Sequence, residues 1–299
     1  MIDTFLPMLA VSGEPFDSPE HLFEMKWDGV RAVAAVEEGG YRIWGRDLAD
    51  YGPRYPELEL LRRLPSGTAL DGELVVLQNG RAGLEAILHR HQLAGALKIK
   101  YACRQFPVTY VLFDLVYWQG RPLFHEPLCL RRARLEELVR PLQERNLVFS
   151  EGILGPGRQF FEQVVAQGHE GVMAKHVQGR YLPGRRMSAW RKIKPRGWIP
   201  CAIVGYTAGR SGVHSLLVAA PCDGVLQYVG QLTSGLSDET RARLGPLLAE
   251  RTRPKPVIAC PKKAIWVEPD LFCKVQFLRR TRRGRLREAS FRGLIQPTG

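Results

Sequence analysis

A lysine followed by Asp-Gly is the first candidate for chemistry: Lys26, Asp28 and Gly29 stand in the segment FEMKWDGVR. The amine of lysine is a nucleophile only when it is unprotonated, so a reactive lysine needs surroundings, such as neighbouring cations, that lower its pKa. The K-x-D-G spacing alone is weak evidence, because an exposed loop with a turn glycine has the same appearance. The interpretation of Lys26 therefore depends on the rest of the sequence.

Carboxylates recur inside apolar segments. Asp71 and Glu73 in LDGELVV are two residues apart in a predicted strand and hence on one face of it. Two carboxylates in an apolar run are costly to bury unless they bind something polar, although a strand end at the surface is the alternative. Phe113 and Asp114 lie in a similar run, YVLFDLVY, where simple core packing is the alternative.

Two further segments combine carboxylate and lysine side chains. EGVMAK offers Glu170 and Lys175 around a strand of small residues, and WRKIKP places Lys192 and Lys194 two residues apart. That spacing predicts that both lysines lie on one strand face. Two lysines on one face need an anionic partner, and phosphate is the obvious one.

The bulk composition favours a polyanionic partner. The chain has 43 Lys and Arg against 30 Asp and Glu, a formal net charge of +13, although a basic but inert surface is the alternative. The six cysteines form no C-x-x-C pair, and we interpret them as reduced thiols. No apolar run approaches the ~18–20 residues of a membrane span, and the N-terminus lacks the basic region of a signal peptide. We therefore expect a protein of the cytoplasm, or of the nucleoid within it, without a membrane partner.

The elements that must position these residues fall into two groups. Strand-like runs at 30–36, 68–77 and 108–117 alternate with helical spacing at 83–91, 130–143 and 158–167, which predicts an α+β domain. The segment PRGWIP at 195–200 should stop any regular element, because it has two prolines and a glycine. We place the domain boundary there, giving domains 1–196 and 197–299.

The second domain has a different texture. Short strand-like runs recur at 201–207, 214–220, 225–232, 263–269 and 271–277, and one helix with Ser237 as its N-cap interrupts them. Five short strands and one helix in about 100 residues are typical of a small β-barrel of the OB type.

Taken in order, these segments resemble the covalent nucleotidyltransferase superfamily of DNA ligases, RNA ligases and mRNA capping enzymes. The likeness is closest to the ATP-dependent ligase module of bacterial non-homologous end-joining proteins. It covers nearly the whole chain and is carried by the following segments: PMLA, FEMKWDGVR, ALDGELVVL, GHEGVMAK, VGYTAGR, LQYVGQLTSGLSD, WVEPDLFCKVQF and LREASFRGL. The resemblance implies an α+β nucleotidyltransferase (adenylation) domain followed by a C-terminal OB-fold β-barrel.

The resemblance also implies how the nucleotide is held. Lys26 would be the nucleophile that takes AMP from ATP as a phosphoramidate. Glu73 would hold the ribose, and Phe113 would stack on the adenine. Arg31 matches a nucleotide-contacting position, and other motif positions with supporting roles are Asp28 and Glu24.

Phosphate and metal roles follow from the same resemblance. Lys192 and Lys194 would hold the α-phosphate and stabilise charge during transfer. Glu170, together with Asp71, would serve a Mg²⁺ or Mn²⁺ ion near the phosphates. AMP would then pass to the 5′-phosphate at a nick, and the 3′-hydroxyl would displace it. ATP is the expected donor, because NAD-dependent relatives carry an additional N-terminal domain and zinc modules, whereas 25 residues precede Lys26 here.

The implied partner is nicked duplex DNA, with RNA in either strand left open. Arg46 matches a position that engages the 5′-phosphate of the nick. The segment RRTRRGRLREASFR, with Arg282, Arg283 and Arg285, is a further candidate for binding phosphates, and a solvated strand pair is the alternative. We expect a monomer, with any end-binding or polymerase function supplied by separate proteins.

Departures from the family pattern leave other functions open. Relatives end in an Arg-x-Asp-Lys-like tail, whereas FRGL is followed here by IQPTG, so we expect self-adenylylation to be the weak step. Lys274 stands where relatives tend to have an acidic residue. The alternatives are an RNA-joining or mixed RNA/DNA ligase, a capping guanylyltransferase, or a nick- or end-binding protein with weakened adenylylation.

Overall fold

A computed structural model describes residues 1–78, 80–209, 212–222, 224–281 and 284–295. The chain divides into two units, one of residues Met1–Lys194 and one that begins at Pro195. None of the helices in the described ranges has the length and apolar character that crossing a bilayer requires.

The first unit combines strands and helices along its whole length. Its strands are β1 (Leu9–Gly13), β2 (Ser18–Met25), β3 (Val30–Glu37), β4 (Gly40–Trp44), β5 (Thr68–Gln78), β6 (Arg81–Ala82), β7 (Val108–Trp118), β8 (Arg121–Pro122), β9 (Leu147–Phe149), β10 (Gly152–Gly155), β11 (Val172–His176) and β12 (Arg186–Ile193). Its α-helices are α1 (Leu84–Gln92), α2 (Ala96–Gln105), α3 (Leu128–Val139) and α4 (Gly157–Ala166), and its 3-10 helices are Gly52–Arg54, Pro56–Arg63 and Arg140–Leu142.

Two sheets face each other in this unit. One has the order β1-β12-β11-β2-β10, and the other has the order β4-β3-β5-β7-β8, with β6 and β9 attached to β5 and β7. In β3, Ala32 and Ala34 pack with α1 and α3, whereas Val33 and Ala35 pack in a cluster that includes Trp190 of the opposite sheet. A strand that is covered on both faces reads as a continuous apolar run, which is why 30–36, 68–77 and 108–117 were recognisable.

The predicted elements of the first domain are confirmed. The runs at 30–36, 68–77 and 108–117 are β3, β5 and β7, and the helical segments correspond to α1, α3 and α4. Helix α2 was not predicted. It begins after Gly95, which provides no side-chain cap, so the sequence lacks the usual signal for a helix start.

The second unit is mostly strands. They are β13 (Gly197–Gly209), β14 (Gly212–Cys222), β15 (Val225–Leu232), β16 (Thr252–Arg253), β17 (Ile265–Val267), β18 (Phe272–Phe277), β19 (Arg279–Arg280), β20 (Leu286–Arg287) and β21 (Ser290–Ile295). The main sheet has the order β15-β14-β13-β17-β16, and β18 pairs with both β13 and β21. Helix α5 (Asp238–Ala249) begins as predicted, because the backbone N–H of Thr240 donates to Ser237 Oγ at 3.1 Å.

The prediction that 195–200 contains no regular element is wrong. Strand β13 begins at Gly197 and continues through Pro200, which pairs with Lys274 of β18. Pairing of β13 with its other neighbour, β14, begins only at Ala202. Proline has no N–H to donate, so it is tolerated where a strand has a partner on one side only.

Candidate active site

Lys26 lies in the connection formed by residues 26–29, which joins β2 of one sheet to β3 of the other. Gly29 explains the glycine of the K-x-D-G spacing. A Cβ atom at this position would lie 2.2 Å from the carbonyl oxygen of Leu74 and 2.9 Å from the side chain of Glu73. Only glycine therefore lets the lysine-bearing connection pass this close to β5.

The segment HEGVMAK lies beside Lys26 because β11 and β2 pair antiparallel, with Val172 opposite Met25. The backbone N–H of Lys26 donates to the carbonyl oxygen of Gly171 at 2.8 Å. Gly171 has a φ of +139°, and a Cβ there would lie 2.2 Å from the carbonyl oxygen of Ile193. The glycine thus brings three distant segments together around the nucleophile.

Glu170 joins two lysines. Its Oε2 accepts from Lys26 Nζ and its Oε1 accepts from Lys194 Nζ, and all three side chains are largely buried. Strand β12 ends at Ile193, so Lys194 lies one residue past it. Lys192, on the strand itself, lines a cavity between the two sheets. Both lysines of WRKIKP therefore lie near Lys26: Lys194 shares the partner Glu170 with it, and Lys192 shares a cavity with it.

We call the cavity between the sheets the central cavity. It brings together most of the residues that the sequence predicted to handle a nucleotide: Glu24, Lys26, Arg31, Arg46, Glu73, Phe113 and Lys192. Its remaining lining comes from Met8, Leu9, Ala10, Met25, Trp27, Met173, Lys175, Arg186 and Trp190. Aromatic walls, two carboxylates and several cations suit a flat base attached to a sugar and phosphate.

Phe113 forms part of an aromatic wall in the central cavity. Its ring meets that of Trp190 edge to face, with centroids 6.0 Å apart. Lys175 Nζ lies 4.0 Å from the Phe113 centroid and 4.5 Å from that of Trp190. The guanidinium carbon of Arg31 lies 4.5 Å from the Phe113 centroid. Cations held over these rings make the wall electrostatically specific as well as flat.

A buried carboxylate lies at the inner end of this wall. Glu24 is 1% exposed, and it pairs with Lys175 at 2.7 Å and with Arg132 of α3. Burial lowers the pKa of Lys175 to about 8, against the opposing attraction of Glu24. Glu24 thus has fixed cationic partners that hold its carboxylate in one orientation.

Glu73 reaches the central cavity from β5. Burial raises the pKa of this carboxyl group to about 7, and Arg31, Lys26 and Arg46 oppose the shift. A carboxylate that titrates near neutral pH can accept hydrogen bonds from hydroxyl groups when ionised and loses part of that capacity when protonated.

Asp71 has a different environment from the one the sequence predicted. It is fully buried, and its two oxygens accept from Arg31 Nε at 2.5 Å, from Arg31 Nη2 at 2.6 Å and from the Tyr181 hydroxyl at 2.6 Å. Asp71 is also absent from the lining of the central cavity, so its buried environment does not support the predicted metal role. We correct the metal assignment accordingly: Asp71 positions Arg31. Asp114 plays a similar part toward Arg131, with which it forms a fully buried bidentate pair.

A second cavity, which we call the side cavity, shares Lys26 with the first. It has a volume of about 140 Å³ and is lined by Met25, Lys26, Trp27, Asp28, Arg81, Ala82, Gly168, His169 and Glu170. Asp28 and Glu170 are its carboxylates. Lys26 therefore has aromatic and ionic partners in one cavity and a charged, polar set in the other.

The comparisons with known proteins agree with this geometry. Residues 7–194 match the family described as ATP dependent DNA ligase domain, and residues 209–296 match the ATP dependent DNA ligase C terminal region. This chain belongs to the ATP-dependent DNA ligase family.

The ligase is similar to several end-joining proteins and to one protein of its own length. It is 34% identical to the multifunctional non-homologous end joining DNA repair protein LigD of Mycobacterium tuberculosis over 98% of this chain and 38% of that protein. The ligase thus spans well under half the length of this relative. It is 28% identical to the SPbeta prophage-derived DNA ligase-like protein LigB of Bacillus subtilis over 95% of this chain and 97% of that protein.

Solved structures show the same likeness. The crystal structure of the ligase domain from M. tuberculosis LigD is 33% identical, has a TM-score of 0.58, and is covered over 97% of this chain and 95% of that one. A mycobacterial DNA ligase D complexed with ATP and MES is 32% identical, has a TM-score of 0.57, and is covered over 98% and 96%. The predicted fold, a nucleotidyltransferase domain followed by an OB-fold domain, is confirmed.

The predicted DNA-binding arginines of the ligase differ in their surroundings. Arg46 is exposed at the rim of the central cavity. Arg285 donates to the carbonyl oxygen of Tyr228 at 2.5 Å and lies 4.2 Å from the centroid of its ring. Arg282 and Arg283 lie outside the described residues, as do Gln296, Pro297 and Thr298 of the tail. Lys274 Nζ lies 4.4 Å from the ring centroid of Trp198.

Sequence reasoning missed several residues that line the cavities of the ligase. Trp190 precedes Lys192 by two residues on β12, so strand alternation was the signal that could have placed both on one cavity. Trp27 follows the nucleophile directly, and its Nε1 donates to Ser150 Oγ at 3.3 Å. Arg81 carries no signal of its own, because its neighbour Gly168 belongs to a segment distant in the sequence.

A concavity larger than the central and side cavities lies elsewhere in the first unit. It has a volume of about 950 Å³ and is lined by the turns at 37–42, 66–67 and 119–120 together with Met1 and Ile2. These turns lie at the end of the sheet opposite the β5–β6 hairpin, since Gly120 N–H donates to the carbonyl oxygen of Gly67. Size therefore does not identify the site; the chemistry of the lining does.

Proposed function

We propose that the ligase seals nicks bearing a 5′-phosphate and a 3′-hydroxyl through an AMP adduct on Lys26. Lys26 Nζ attacks the α-phosphorus of ATP, loses its proton, and the bond to the β-phosphate breaks to release pyrophosphate. The 5′-phosphate then attacks the same phosphorus and breaks the P–N bond, and the 3′-hydroxyl finally displaces AMP. The observation that carries this proposal is the position of Lys26 in the linings of both cavities, with Glu170 on its amine.

The central cavity supports a specific set of nucleotide contacts. We assign Phe113 to stack on the adenine, with Trp190 completing the wall. Glu73 accepts from the ribose hydroxyls, and Arg31 is held toward the nucleotide by Asp71. Glu24 lines the same cavity and, fixed by its two cations, provides an acceptor for a base amino group.

Phosphate handling falls to the lysines. Lys192 lines the central cavity and Lys194 approaches Lys26 through their shared partner Glu170. Preorganised cations stabilise the charge that builds on the transferred phosphate. Arg46, exposed at the cavity rim, would contact the 5′-phosphate at the nick.

The residues present fit a hydrated divalent cation. The described residues contain no group of three or more His, Cys, Asp or Glu side chains arranged for direct ligation. Mg²⁺ commonly uses one or two carboxylates and retains several waters, and Asp28 and Glu170 line the same cavity. We assign these two carboxylates to Mg²⁺ or Mn²⁺, which when bound would neutralise phosphate charge.

We propose DNA end joining as the physiological setting, because the relatives of M. tuberculosis and Pseudomonas aeruginosa are named as multifunctional non-homologous end joining proteins. In that setting the substrate is nicked duplex DNA in the nucleoid, and end-binding and polymerase proteins act before sealing. A monomer suffices, since one chain supplies the linings of both cavities.

Two measurements test the proposed function. The intact mass of the protein after incubation with ATP and Mg²⁺ should increase by one AMP, and peptide mapping should locate the adduct at Lys26. Nicked duplexes in which each strand is DNA or RNA should then be sealed in the presence of ATP, with the all-DNA nick preferred. Absence of any AMP adduct would contradict the proposal, and exclusive sealing of RNA strands would replace DNA by RNA as the substrate.

A further inference from the structure

The side cavity contains two groups that the proposed reaction does not use. Arg81 and His169 line it together with Lys26, Asp28 and Glu170. Both belong to elements outside the central cavity. Their position beside the nucleophile raises the question of which ligand they face.

Arg81 reaches the side cavity from the hairpin of β5 and β6, where it pairs with Gln78. Its Nη1 lies 3.4 Å from the position that a Cβ of Gly168 would occupy, an ordinary van der Waals distance, so the guanidinium group lies against Gly168, the residue before His169. Arg81 is exposed and forms no ion pair with a carboxylate of the described residues. Its fork of N–H donors is therefore available to a planar or tetrahedral oxyanion.

The backbone of His169 is fixed by a hydrogen bond. Its N–H donates to the carbonyl oxygen of Val164 at 3.1 Å, just after helix α4, and the next residue is Glu170. The imidazole is half-buried rather than free on the surface. It thus adds a ring N–H to the lining that also contains the guanidinium group of Arg81.

The charges of the lining fit one monoanionic phosphate. Lys26 and Arg81 are the cations of the cavity, and Asp28 and Glu170 are its carboxylates. Lys194 contributes a further positive charge, because it pairs with the second oxygen of Glu170. The sum is one excess positive charge, which becomes three when Mg²⁺ is bound to Asp28 and Glu170, so the cavity is positive in both states and suits the negative charge of a phosphodiester. The volume of about 140 Å³ has room for one such group with water.

We propose that Arg81 and His169 form a phosphate subsite beside Lys26. The inference rests on the proposed function, in which both ATP and the nicked strand supply phosphates. Displacement at the α-phosphorus is in line, so the leaving pyrophosphate and the attacking 5′-phosphate lie across that phosphorus from Lys26. A subsite on the lysine side is better placed for a non-reacting phosphodiester of the nicked duplex.

The test compares Arg81→Ala with Arg81→Lys and a matched control. Arg121→Ala removes an equally exposed arginine at the other end of the same sheet, about 33 Å away at 3.3 Å per residue along β5. Four quantities are measured for each variant: the rate of self-adenylylation, the rate of AMP transfer from preformed lysyl-AMP to a nick, the Kd for nicked duplex, and its salt dependence. Thermal unfolding verifies that each variant is folded.

For Arg81→Ala we expect about tenfold weaker binding of nicked duplex and a correspondingly slower AMP transfer, as for loss of one charged hydrogen bond. The slope of log affinity against log salt should become shallower by about 0.9, since one phosphate contact is lost. Self-adenylylation should remain at the wild-type rate. Arg81→Lys should recover the salt slope, and Arg121→Ala should match the wild type.

Other results would change or overturn this assignment. Slower self-adenylylation with unchanged duplex binding would support the phosphate subsite and make ATP its source. Values for Arg81→Ala that match those of Arg121→Ala in all four measurements would overturn the subsite. A wild-type protein that forms no lysyl-AMP would contradict the proposed function instead, and duplex binding by Arg81→Ala would still test the subsite.

Discussion

Lys26 and Glu170 are separated by 144 positions in the sequence, and their side chains form a direct ion pair. The pair exists because β2 and β11 are neighbours in one sheet, which carries the residue before Lys26 past the residues after Glu170. An amine that donates to a carboxylate must exchange that partner before it attacks a phosphorus atom. Binding of the phosphates of ATP supplies a competing set of contacts.

Replacing Lys26 by Ala should abolish the AMP adduct and ATP-dependent sealing, because no other residue occupies the position of the nucleophile. Sealing of a nick that already carries a 5′-adenylate should continue, since the last step does not need the lysine amine. Intact mass and a gel assay with the adenylated nick measure both. Lys98→Ala, at an exposed position of α2, is the control. An adduct on a different lysine in the Lys26→Ala protein would refute the assignment.

ATP binding should weaken as the pH falls below about 7, because the pKa of Glu73 is raised to about 7 and the protonated group is a poorer acceptor for ribose hydroxyls. Since the ionised form of Glu73 is the one that binds, the affinity for ATP is high above the pKa of Glu73 and decreases as the pH falls through that pKa. Lys26→Arg keeps the positive charge and prevents adenylylation, so calorimetric titration of this variant isolates binding. The same titration with Glu73→Gln added should give a flat pH profile, and a pH profile that persists would assign the titration to another group.

Asp71→Asn should destabilise the first unit by about 3–5 kcal/mol, because it removes one charge of a buried pair and leaves Arg31 unpaired. The concentration of Mg²⁺ needed for half-maximal adenylylation should stay unchanged in this variant. Glu170→Gln should raise that concentration, since Glu170 is one of the two carboxylates assigned to the metal. Thermal unfolding and a Mg²⁺ titration distinguish the two roles, and a raised Mg²⁺ requirement in Asp71→Asn would restore the metal assignment.

Gly29→Ala should reduce both stability and adenylylation, because its Cβ would lie 2.2 Å from the carbonyl oxygen of Leu74. The connection that carries Lys26 must then move away from β5, and a displacement near 1 Å at a reacting group costs roughly a hundredfold in rate. Gly39→Ala is the matched control, since a Cβ there meets no atom within 4 Å. Equal rates for the two variants would show that the close approach is not needed for chemistry.

Arg279 and Arg280 should contribute to salt-dependent binding of nicked duplex more than Arg285 does. Both are exposed on β19, whereas Arg285 is engaged by the carbonyl oxygen and ring of Tyr228. The double replacement of Arg279 and Arg280 by Ala should flatten the salt slope by up to about 1.8, at 0.9 per phosphate contact. Arg285→Ala should mainly lower the unfolding temperature. A larger slope change for Arg285→Ala would reverse this ranking.

The sequence predicted those elements of the fold whose residues form a recognisable apolar pattern along the chain. Strands such as β3 and β7 are covered on both faces, so their apolar runs are unambiguous. The prediction that Pro200 stops a strand was wrong, because the effect of a proline depends on whether the strand has one partner or two. That pairing is not visible in the segment itself. Helix α2 was not predicted, because Gly95 gives it no side-chain cap.

The same distinction applies to the site. Lys26, Glu73 and Phe113 stand in segments whose composition already indicates chemistry, and they line one cavity as the motif order suggested. Asp71 was misassigned because its partners are distant in the sequence. Arg31 reaches it through the pairing of β3 with β5, and Tyr181 is 110 positions away. Arg81 went unnoticed for the same reason, since an arginine in a hairpin is ordinary until its neighbour is known.

Residues 26–29 connect β2 directly to β3, and these two strands belong to different sheets. One extra residue in this link would leave both sheets able to form, yet it would change how far the lysine amine extends into the space between them. Chain length is therefore as strictly constrained here as residue type. The β3–β4 turn around Gly39 does not position the lysine amine, so its length is not constrained in this way. Insertions and deletions should therefore accumulate there across evolution and be absent between Met25 and Val30.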